Sequence, residues 1–578
     1  MKLIKLSIRN FRGINGENNC VEFLDSNIIF LIGKNNATKS TFLHAYEFFT
    51  NPRQTSKKED FFNYSPENTI EIIGEFLKDD DDNDNRDFNK DPEWINKWVN
   101  QDGKIVIKKE WSTVGGLFNK YTLNPNTGEF VANGFGGIDS LFKKYAPTPI
   151  FINAIETEES FEKKVNEIID KEFLKKVNTT FEDEYTAALG AIDALQKKIT
   201  DAEEITTYNE RINRNFQKIF PELSLRITQK REENIDIIKA FKTNHSIAVE
   251  KHGIERKETF EQHGHGIIRQ ALFNFLAFLK NENESTKKEY IILFEEPELY
   301  LHPKSVHSLR EELYELAENS PFQIICATHS PGMIDISKPH SSLVRVVKNQ
   351  TTEETITYQV GHSIFQSEEN RDFVQMINRF NPNVCETFYA DDVILVEGDT
   401  EALIFREVLK QRYPDKDCFI LNTGSKNNIP FFQKILTHFR IHQTIIHDSD
   451  TRYLYDIIDG TPVRRKKKDD SDRVNSAWSI NESIWTEIQN SNELQNELAR
   501  RFVSIYDFES ANGYLYDSSK GKPLSAYEFA KELSPDDSIP LNDFVEYIVG
   551  NIACEIDYSM ENLNEMVIEP DGKIEVEA

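Results

Sequence analysis

The sequence predicts an α/β protein of two units, each built on short buried strands whose carboxyl ends carry the chemistry. Three observations predict it. Residues 290–303 read YIILFEEPELYLHP, an apolar run ending in adjacent acids and a proline. Residues 28–32, IIFLI, form a similar run followed at once by GKNNATKST and the apolar-periodic FLHAYEFF. The second half repeats the pattern, with 393–396 running into EGDTE and 444–446 into HDSD. Short apolar runs bounded by turn signals have the length and composition of buried parallel strands. Open α/β sheets bind their ligands at the carboxyl ends of such strands.

Bulk properties narrow the class. A chain of 578 residues has room for two or more domains, and 38% hydrophobic with 29% charged residues suits a soluble globular protein. No apolar run approaches the roughly 18 residues of a membrane span. Charges interrupt the amino-terminal MKLIKLSIRNFRG, so no signal-peptide core is expected. Cysteines 20, 326, 385, 418 and 554 are scattered without CxxC spacing. That spacing predicts a reduced, cytoplasmic protein with neither a disulfide framework nor structural zinc. The net charge of −29 counts against a nucleic-acid binder, but binding needs only a local basic surface.

From the amino terminus, residues 2–10 alternate as a strand, residues 10–13 turn, and 20–24 return. Strand 28–32, loop GKNNATKST and the helix after it give the order a phosphate-binding loop requires. There, Gly33, Asn35 and Asn36 lie in the loop, Lys39 reaches the β- and γ-phosphates, and Ser40, followed by Thr41, ligates Mg²⁺. Backbone N–H groups and the helix amino terminus surround the anion. Thr38 stands where GxxxxGK[ST] has its second glycine, and its Cβ is expected to strain a backbone that glycine adopts freely.

Strands are predicted near 70–76, 104–111, 119–123 and 148–152, with an acidic Asn-rich loop at 79–87. Residues 158–220 turn to charged, helix-period sequence with little glycine, which reads as an inserted two-helix antiparallel arm. Strand character returns at 223–228, 235–241 and 246–251. QHGHGIIR, residues 262–269, then places Gly264 and Gly266 before an apolar helix at 270–279. Glu295 and Glu296 end the next strand, and two such acids are costly to desolvate unless a cation or reacting water needs them. Residues 322–327 form another buried strand, ending Thr328–His329–Ser330–Pro331, where a histidine can hydrogen-bond a γ-phosphate or its attacking water.

These four elements in this order resemble the ABC-type ATPase heads of the RecF, SMC and OLD (overcoming lysogenization defect) families. GKNNATKST resembles Walker A, GHGIIR the signature motif, LFEEPELYLHP Walker B with its D-loop, and ATHSP the switch histidine. The resemblance implies ATP as cofactor, with Glu295 helping to hold Mg²⁺ and Glu296 polarising the attacking water. It also implies dimeric heads in which Gly264 and Gly266 meet ATP in trans. Thr38 for glycine, and Glu295 where many relatives have aspartate, make ATP binding a firmer expectation than rapid turnover.

A boundary is expected around 380–384, FNPNV. In the second half, Glu397 sits at a strand tip and Glu401 one helical turn later on the same side. Strand 419–421 leads into the loop 422–426. Alternation is expected to place Asp448 and Asp450 on one face of their strand, where two aspartates can share a cation. A DxD alone is more often a solvated turn, but VEGDTE on its own earlier strand weighs against that. VEGDTE followed by HDSD resembles the Toprim fold of topoisomerases, primases and OLD nucleases. An ABC-type head followed by Toprim is the OLD-family arrangement, and the match spans nearly the whole chain.

That resemblance implies an acid and a lysine further on, with Glu509 the match in strand-like 505–509 and Lys522, or else Lys520, the lysine. It implies a helical arm that serves dimerisation. The expected layout is a head over 1–157 and 221–380, an arm over 158–220, and a Toprim domain over 385–578. Glu397, Glu401, Asp448, Asp450 and Glu509 offer oxygen ligands for two divalent ions, and oxygen-only ligation favours Mg²⁺ or Mn²⁺ over zinc. RRKKK at 464–468 reads equally as a phosphate-backbone contact or as a solvated loop balanced by the DDSD after it.

The function expected is an ATP-regulated, divalent-metal-dependent DNA endonuclease in anti-phage defence. The alternative is a non-nucleolytic SMC- or RecF-like DNA-binding ATPase. Expected partners are DNA and a second copy through heads and arm, with no membrane. Family members also occur beside a helicase or a retron reverse transcriptase with its DNA product.

Overall fold

All five residues of the strand Ile28–Ile32 are buried, because the strand lies inside a six-stranded sheet. The sheet order is Thr355–Gln359, Leu343–Lys348, Ile28–Ile32, Phe322–Ala327, Tyr290–Glu295, Thr148–Ile152. The computed structural model describes residues 1–78, 97–155 apart from 136 and 138, 160, 162–166, 203–229, 245–251, 257–258, 267, 271, 274, 289–318, 322–349, 351–360 and 382–570. The expected loop at 79–87, most of the arm, the strand at 235–241, Gly264 and Gly266, and most of helix 270–279 lie outside the described residues.

The chain divides into two compact units, Met1–Ile334 with Ser341–Thr357, and Asp335–His340 with Tyr358–Ala578. In the first, the pairings from Thr148–Ile152 through Leu343–Lys348 are parallel. Register aligns Glu295 with Ala327 and Ala327 with Leu31. The phosphate-binding loop, the paired acids and His329 therefore all leave one edge of the sheet. A second, antiparallel sheet runs Cys20–Glu22, Lys2–Arg9, Ile70–Leu77, Lys104–Trp111, Asn119–Asn124, Glu129–Ala132. Helix Lys39–Thr50 lies between the two, and Phe42, Leu43, Tyr46 and Phe49 join Leu293, Ile325, Ile72 and Ile107 in one core. Cutting such a side chain to alanine costs about 2–5 kcal/mol. Of the expected arm, the helix Glu203–Ile219 is described, followed by strands Leu223–Gln229 and His245–Lys251 paired antiparallel.

In the second unit, four strands run parallel in the order Cys418–Asn422, Asp392–Val396, His442–Asp448, Ala499–Ser504. Val396 is level with Asn422, and Asp448 with Ser504. One edge thus gathers Glu397, the loop after Asn422, the HDSD turn and the turn after Ser504. Helices Asp399–Arg412, Lys522–Glu532 and Pro540–Val549 pack a core of Ile394, Phe405, Phe502, Phe508 and Phe544 against it.

Two expectations change. Residues 505–509 are not a strand: it ends at Ser504, Tyr506 takes φ 66, and Asp507 caps the short helix Phe508–Asn512 by accepting from Ser510 N at 2.7 Å. Glu509 therefore sits in a helix's first turn. The strand bearing Asp448 also stops there, and Asp450 follows at φ 58, so a turn rather than strand alternation sets its position.

Candidate functional site

The first site is the loop between Ile32 and Lys39. Gly33 has φ +141, and a Cβ there would lie 2.3 Å from the Val346 carbonyl oxygen, so only glycine fits. Asn36 (φ 61) and Thr38 (φ 67) are both left-handed. Thr38 thus adopts the backbone that glycine would supply, and its position is made sterically possible from the other side. A Cβ on Gly13 would approach Thr38 Cγ2 to 2.7 Å, so the missing side chain at Gly13 makes room for the methyl. The Thr38 hydroxyl donates to the Ala37 carbonyl at 2.6 Å.

Lys39 is buried and donates to the Gly33 and Lys34 carbonyls at 2.6 and 2.7 Å. Burial lowers its pKa to about 8, against the attraction of Glu296 and Glu298. Its Nζ is 3.2 Å from His329 Nδ1, and His329 Nε2 is 3.8 Å from Glu296 Oε1. Desolvation and then Lys39 push His329 down to about 4, so the imidazole is neutral at physiological pH. Glu296 has φ 44 and its N–H donates to the Ala327 carbonyl at 2.7 Å; Glu295 Oε2 accepts from Ala154 N at 3.4 Å. The structure therefore brings Lys39, Glu296 and His329 together, with Ser40 and Thr41 in the first turn of the helix.

Sequence reading missed Glu298. Its Oε1 accepts from Thr328 Oγ1 and from His329 N, both at 2.8 Å, and burial raises its pKa. It ties the turn after the acidic strand to the histidine's backbone. The signal was the third acid of EEPE.

The second site gathers carboxylates. Glu397 Oε1 accepts from Asp448 N at 2.8 Å. Glu401 is buried and its Oε2 accepts from Gly398 N at 2.6 Å, closing the first turn of its helix. Desolvation raises all three of Glu397, Glu401 and Asp448; for Asp448, burial and Glu397 bring it to about 8. Exposed Glu509 adds its field to all three.

Lys426, which sequence reading left in a loop, stands at this cluster. It is 6% exposed, and its ammonium donates to the Asp448 carbonyl and to Asp450 Oδ2, both at 2.5 Å. The Ser425 side chain accepts from Asn427 N, and Thr423 Oγ1 donates to the Val396 carbonyl at 2.9 Å, which turns the loop back under the strand bearing Glu397. The available signal was its position four residues past the end of the strand Cys418–Asn422, in a strand-to-helix turn. Of the expected lysines, Lys522 opens its helix from an exposed position, and Lys520 pairs with Glu528 at 2.6 Å and Asp517 at 3.7 Å.

Among the described residues, no three acids, histidines or cysteines already stand as a metal-binding group; the Lys426 ammonium joins the Asp448 carbonyl to the Asp450 carboxylate. The residues nevertheless fit divalent cations. The donors are all oxygen, burial and then mutual repulsion raise the pKa values of Glu401 and Asp448, and Asp448 Oδ1 is buried with no hydrogen-bond partner. The basic run proves largely neutralised: Arg464 and Lys466 pair with Asp472 at 3.0 and 2.5 Å, and Arg465 with Asp456 at 2.7 Å.

A phosphate loop facing an acidic strand, and a carboxylate cluster on a parallel four-stranded sheet, define a P-loop ATPase head joined to a Toprim-type domain. The chain belongs to the AAA ATPase domain family, whose model matches residues 1–334. Residues 388–450 match the overcoming lysogenization defect protein-like TOPRIM domain. The arrangement of head then Toprim is thus that of the OLD family. The chain is similar to the Old nuclease of Escherichia phage P2, at 24% identity over 472 residues, 78% of this chain and 77% of that one. It is similar to Endonuclease GajA of Bacillus cereus strain VD045, at 24% identity over 458 residues, 73% and 71%. A solved SMC head bound to the C-winged helix domain of ScpA matches with a TM-score of 0.39 and 14% identity, covering 62% of this chain and 98% of that one. No helix among the described residues is long and apolar enough to cross a membrane.

Proposed function

We propose that the chain is an ATP-regulated, divalent-metal-dependent DNA endonuclease of anti-phage defence in the cytoplasm. The observation that carries this reading is the convergence of Glu397, Glu401 and Asp448 at the edge of the second sheet, with Asp450 beside them on buried Lys426. Similarity over most of the chain to relatives named nucleases supports it. The proposed layout is a head over 1–157 and 221–380, a dimerising arm over 158–220, and a nuclease domain over 385–578.

Glu397, Glu401, Asp448, Asp450 and Glu509 would hold Mg²⁺ or Mn²⁺. Bound there, such cations supply Lewis-acid stabilisation of the charge that builds on phosphate and leaving oxygen. The protein's own part is to present the carboxylates without rearrangement. Glu397 holds Asp448 through its N–H, and Lys426 holds Asp450 and sets a positive charge beside the phosphate. Lys522, or Lys520, is the further candidate for that phosphate.

In the head, Gly33, Asn35, Asn36, Lys39, Ser40 and Thr41 would cradle ATP with Mg²⁺ held by Ser40 and Glu295. Neutral His329 would accept or donate a hydrogen bond beside Glu296, which orients the attacking water. Gly264 and Gly266 would complete the site from a second copy. The strain at Thr38 favours ATP as a switch with slow turnover.

Nicking of supercoiled plasmid with Mg²⁺ or Mn²⁺ tests the reading, with Glu401→Ala and Asp448→Ala expected to abolish it. Wild-type nicking by both variants would overturn the carboxylate assignment. Calorimetric ATP titration with Lys39→Ala as control, paired with cleavage with and without ATP, tests the regulatory half.

A further inference from the structure

Two backbone positions at the carboxylate site are left-handed without being glycine, Asp450 at φ 58 and Tyr506 at φ 66. Such conformations persist only where surrounding structure over-determines them. The two turns brace one another: Asp450 N donates to the Tyr506 carbonyl at 2.9 Å, and Tyr506 N to Ser449 Oγ at 2.7 Å. On the inner side Ser449 N donates to the Ser504 carbonyl at 2.9 Å and Asn481 Nδ2 to the Ser449 carbonyl at 2.8 Å, which leaves the outer side of both turns to a further anchor.

That anchor comes from residues 559–569. Helix Met560–Met566, capped by Ser559, is seated by buried Leu563 and Val567. Beyond it the Ile568 carbonyl accepts from Tyr506 OH at 2.6 Å. Glu569 is 6% exposed, and its carboxylate serves two donors across the HDSD turn. Oε1 accepts from Arg452 N at 2.9 Å, and Oε2 accepts from Tyr455 OH. Arg452 in turn donates to the Asn564 carbonyl and Oδ1 at 3.2 and 3.0 Å. A buried carboxylate is costly unless fully paired. Here it is spent on a backbone N–H two residues past Asp450.

We propose that residues 559–569 form a strap that sets the Asp450 turn, with Glu569 as a positioning residue for the carboxylate site. This rests on the reading of that site as a divalent-cation centre. The strap acts on both turns that carry acids, through Glu569 on the side of Asp450 and through Ile568 on the side of Tyr506 and Glu509.

The test is Mn²⁺ binding to the full, nucleotide-free chain, read as unbound Mn²⁺ by electron paramagnetic resonance, with circular-dichroism melts in EDTA alongside. Glu569→Ala is expected to weaken Mn²⁺ binding about tenfold, as loss of an outer-shell partner does, while Glu569→Gln keeps an oxygen for Arg452 N–H and recovers most of it. Wild-type affinity in Glu569→Ala overturns the strap, as does Glu569→Gln binding as weakly as Glu569→Ala. If Glu569→Ala does not fold, Tyr506→Phe replaces it: severalfold weaker binding supports the strap, and unchanged binding overturns it. Asp448→Ala separates the two readings, since wild-type Mn²⁺ binding in that variant overturns the cation centre itself.

Discussion

Replacing Lys426 by methionine keeps the length of the side chain and removes the charge. Its ammonium lies 2.5 Å from the Asp448 carbonyl and from Asp450 Oδ2. At ~2.5 Å and an effective dielectric constant near 20, the attraction to one carboxylate is roughly 7 kcal/mol, most of it cancelled by the desolvation of both groups. Breaking a buried pair from one side costs about 3–5 kcal/mol. Asp450 is a third exposed, so solvent screening reduces this to about 2–3 kcal/mol. For a unit of this size that is about 5–10 °C in melting temperature. The loss should appear in EDTA and shrink in saturating Mg²⁺, because a divalent cation compensates the same carboxylates. Near-ultraviolet circular-dichroism melts of Lys426→Met and wild type, with EDTA and with Mg²⁺, give the four numbers needed. Equal melting in EDTA would refute the role of Lys426 as the site's built-in counter-cation. So would a deficit that Mg²⁺ leaves untouched.

Two further outcomes are expected. Asp448 has a folded pKa of about 8 against an ordinary 3.8, through desolvation and then Glu397. A carboxyl raised in this way contributes stability fully present below about pH 4 and lost as pH rises through 8. In EDTA, melting should therefore fall between pH 5 and 8, and Asp448→Asn should flatten that slope; an unchanged slope in the variant contradicts the assignment. At the phosphate loop, Gly13→Ala forces a Cβ to within 2.7 Å of Thr38 Cγ2. ATP affinity measured calorimetrically should fall, and Thr38→Gly added to it should restore binding by removing both the clash and about 1 kcal/mol or more of left-handed strain. Failure of the double variant to recover would count against steric coupling of the two positions.

What could be read from the sequence was set by burial. Runs such as IIFLI, IILF and VILV, short and bounded by turn signals, fit interior strands better than helices, so the sheets were legible, and the acids at their ends with them. Glu509 was legible as a residue and misplaced as an element. The reason is that the strand ends at Ser504 and Asp507 caps the next helix, a signal weaker than the β-prone Ile505–Tyr506 pair before it. Lys426 was legible only as one lysine among many. What brings it to the carboxylates is the return of the loop 423–428 beneath Glu397 and Asp448, held by Thr423 Oγ1 on the Val396 carbonyl and Asn428 Nδ2 on the Thr423 carbonyl. Such side-chain-to-backbone bonds have no periodicity to announce them. RRKKK left two readings open, because the sequence alone could not pair its charges. A charge run looks like a binding surface until its partners are known, and here Asp456 and Asp472 hold three of its five charges.

Both sites share a device that none of the motifs spells out. Asn36 and Thr38 at the phosphate loop, Glu296 after the acidic strand, and Asp450 and Tyr506 at the carboxylate centre all take positive φ without being glycine. A strand that simply continued would alternate its side chains between the two faces of the sheet and would send every second one into the core. A left-handed residue just past the strand's end turns the chain, so that the acid it carries stays at the sheet edge. Glu296 does this immediately before Pro297, against the preference of a residue preceding proline, and is held by its N–H on the Ala327 carbonyl. Asp450 does it after Asp448 and is held by the Tyr506 carbonyl. Strain of about 1–3 kcal/mol at such a residue persists only when neighbours enforce it, which is why these bonds run to adjacent strand ends and not along the local chain. The neighbouring strand in each sheet is therefore part of the site. A change at Ala327 or Ser504 that shifted register would displace the acids without touching them.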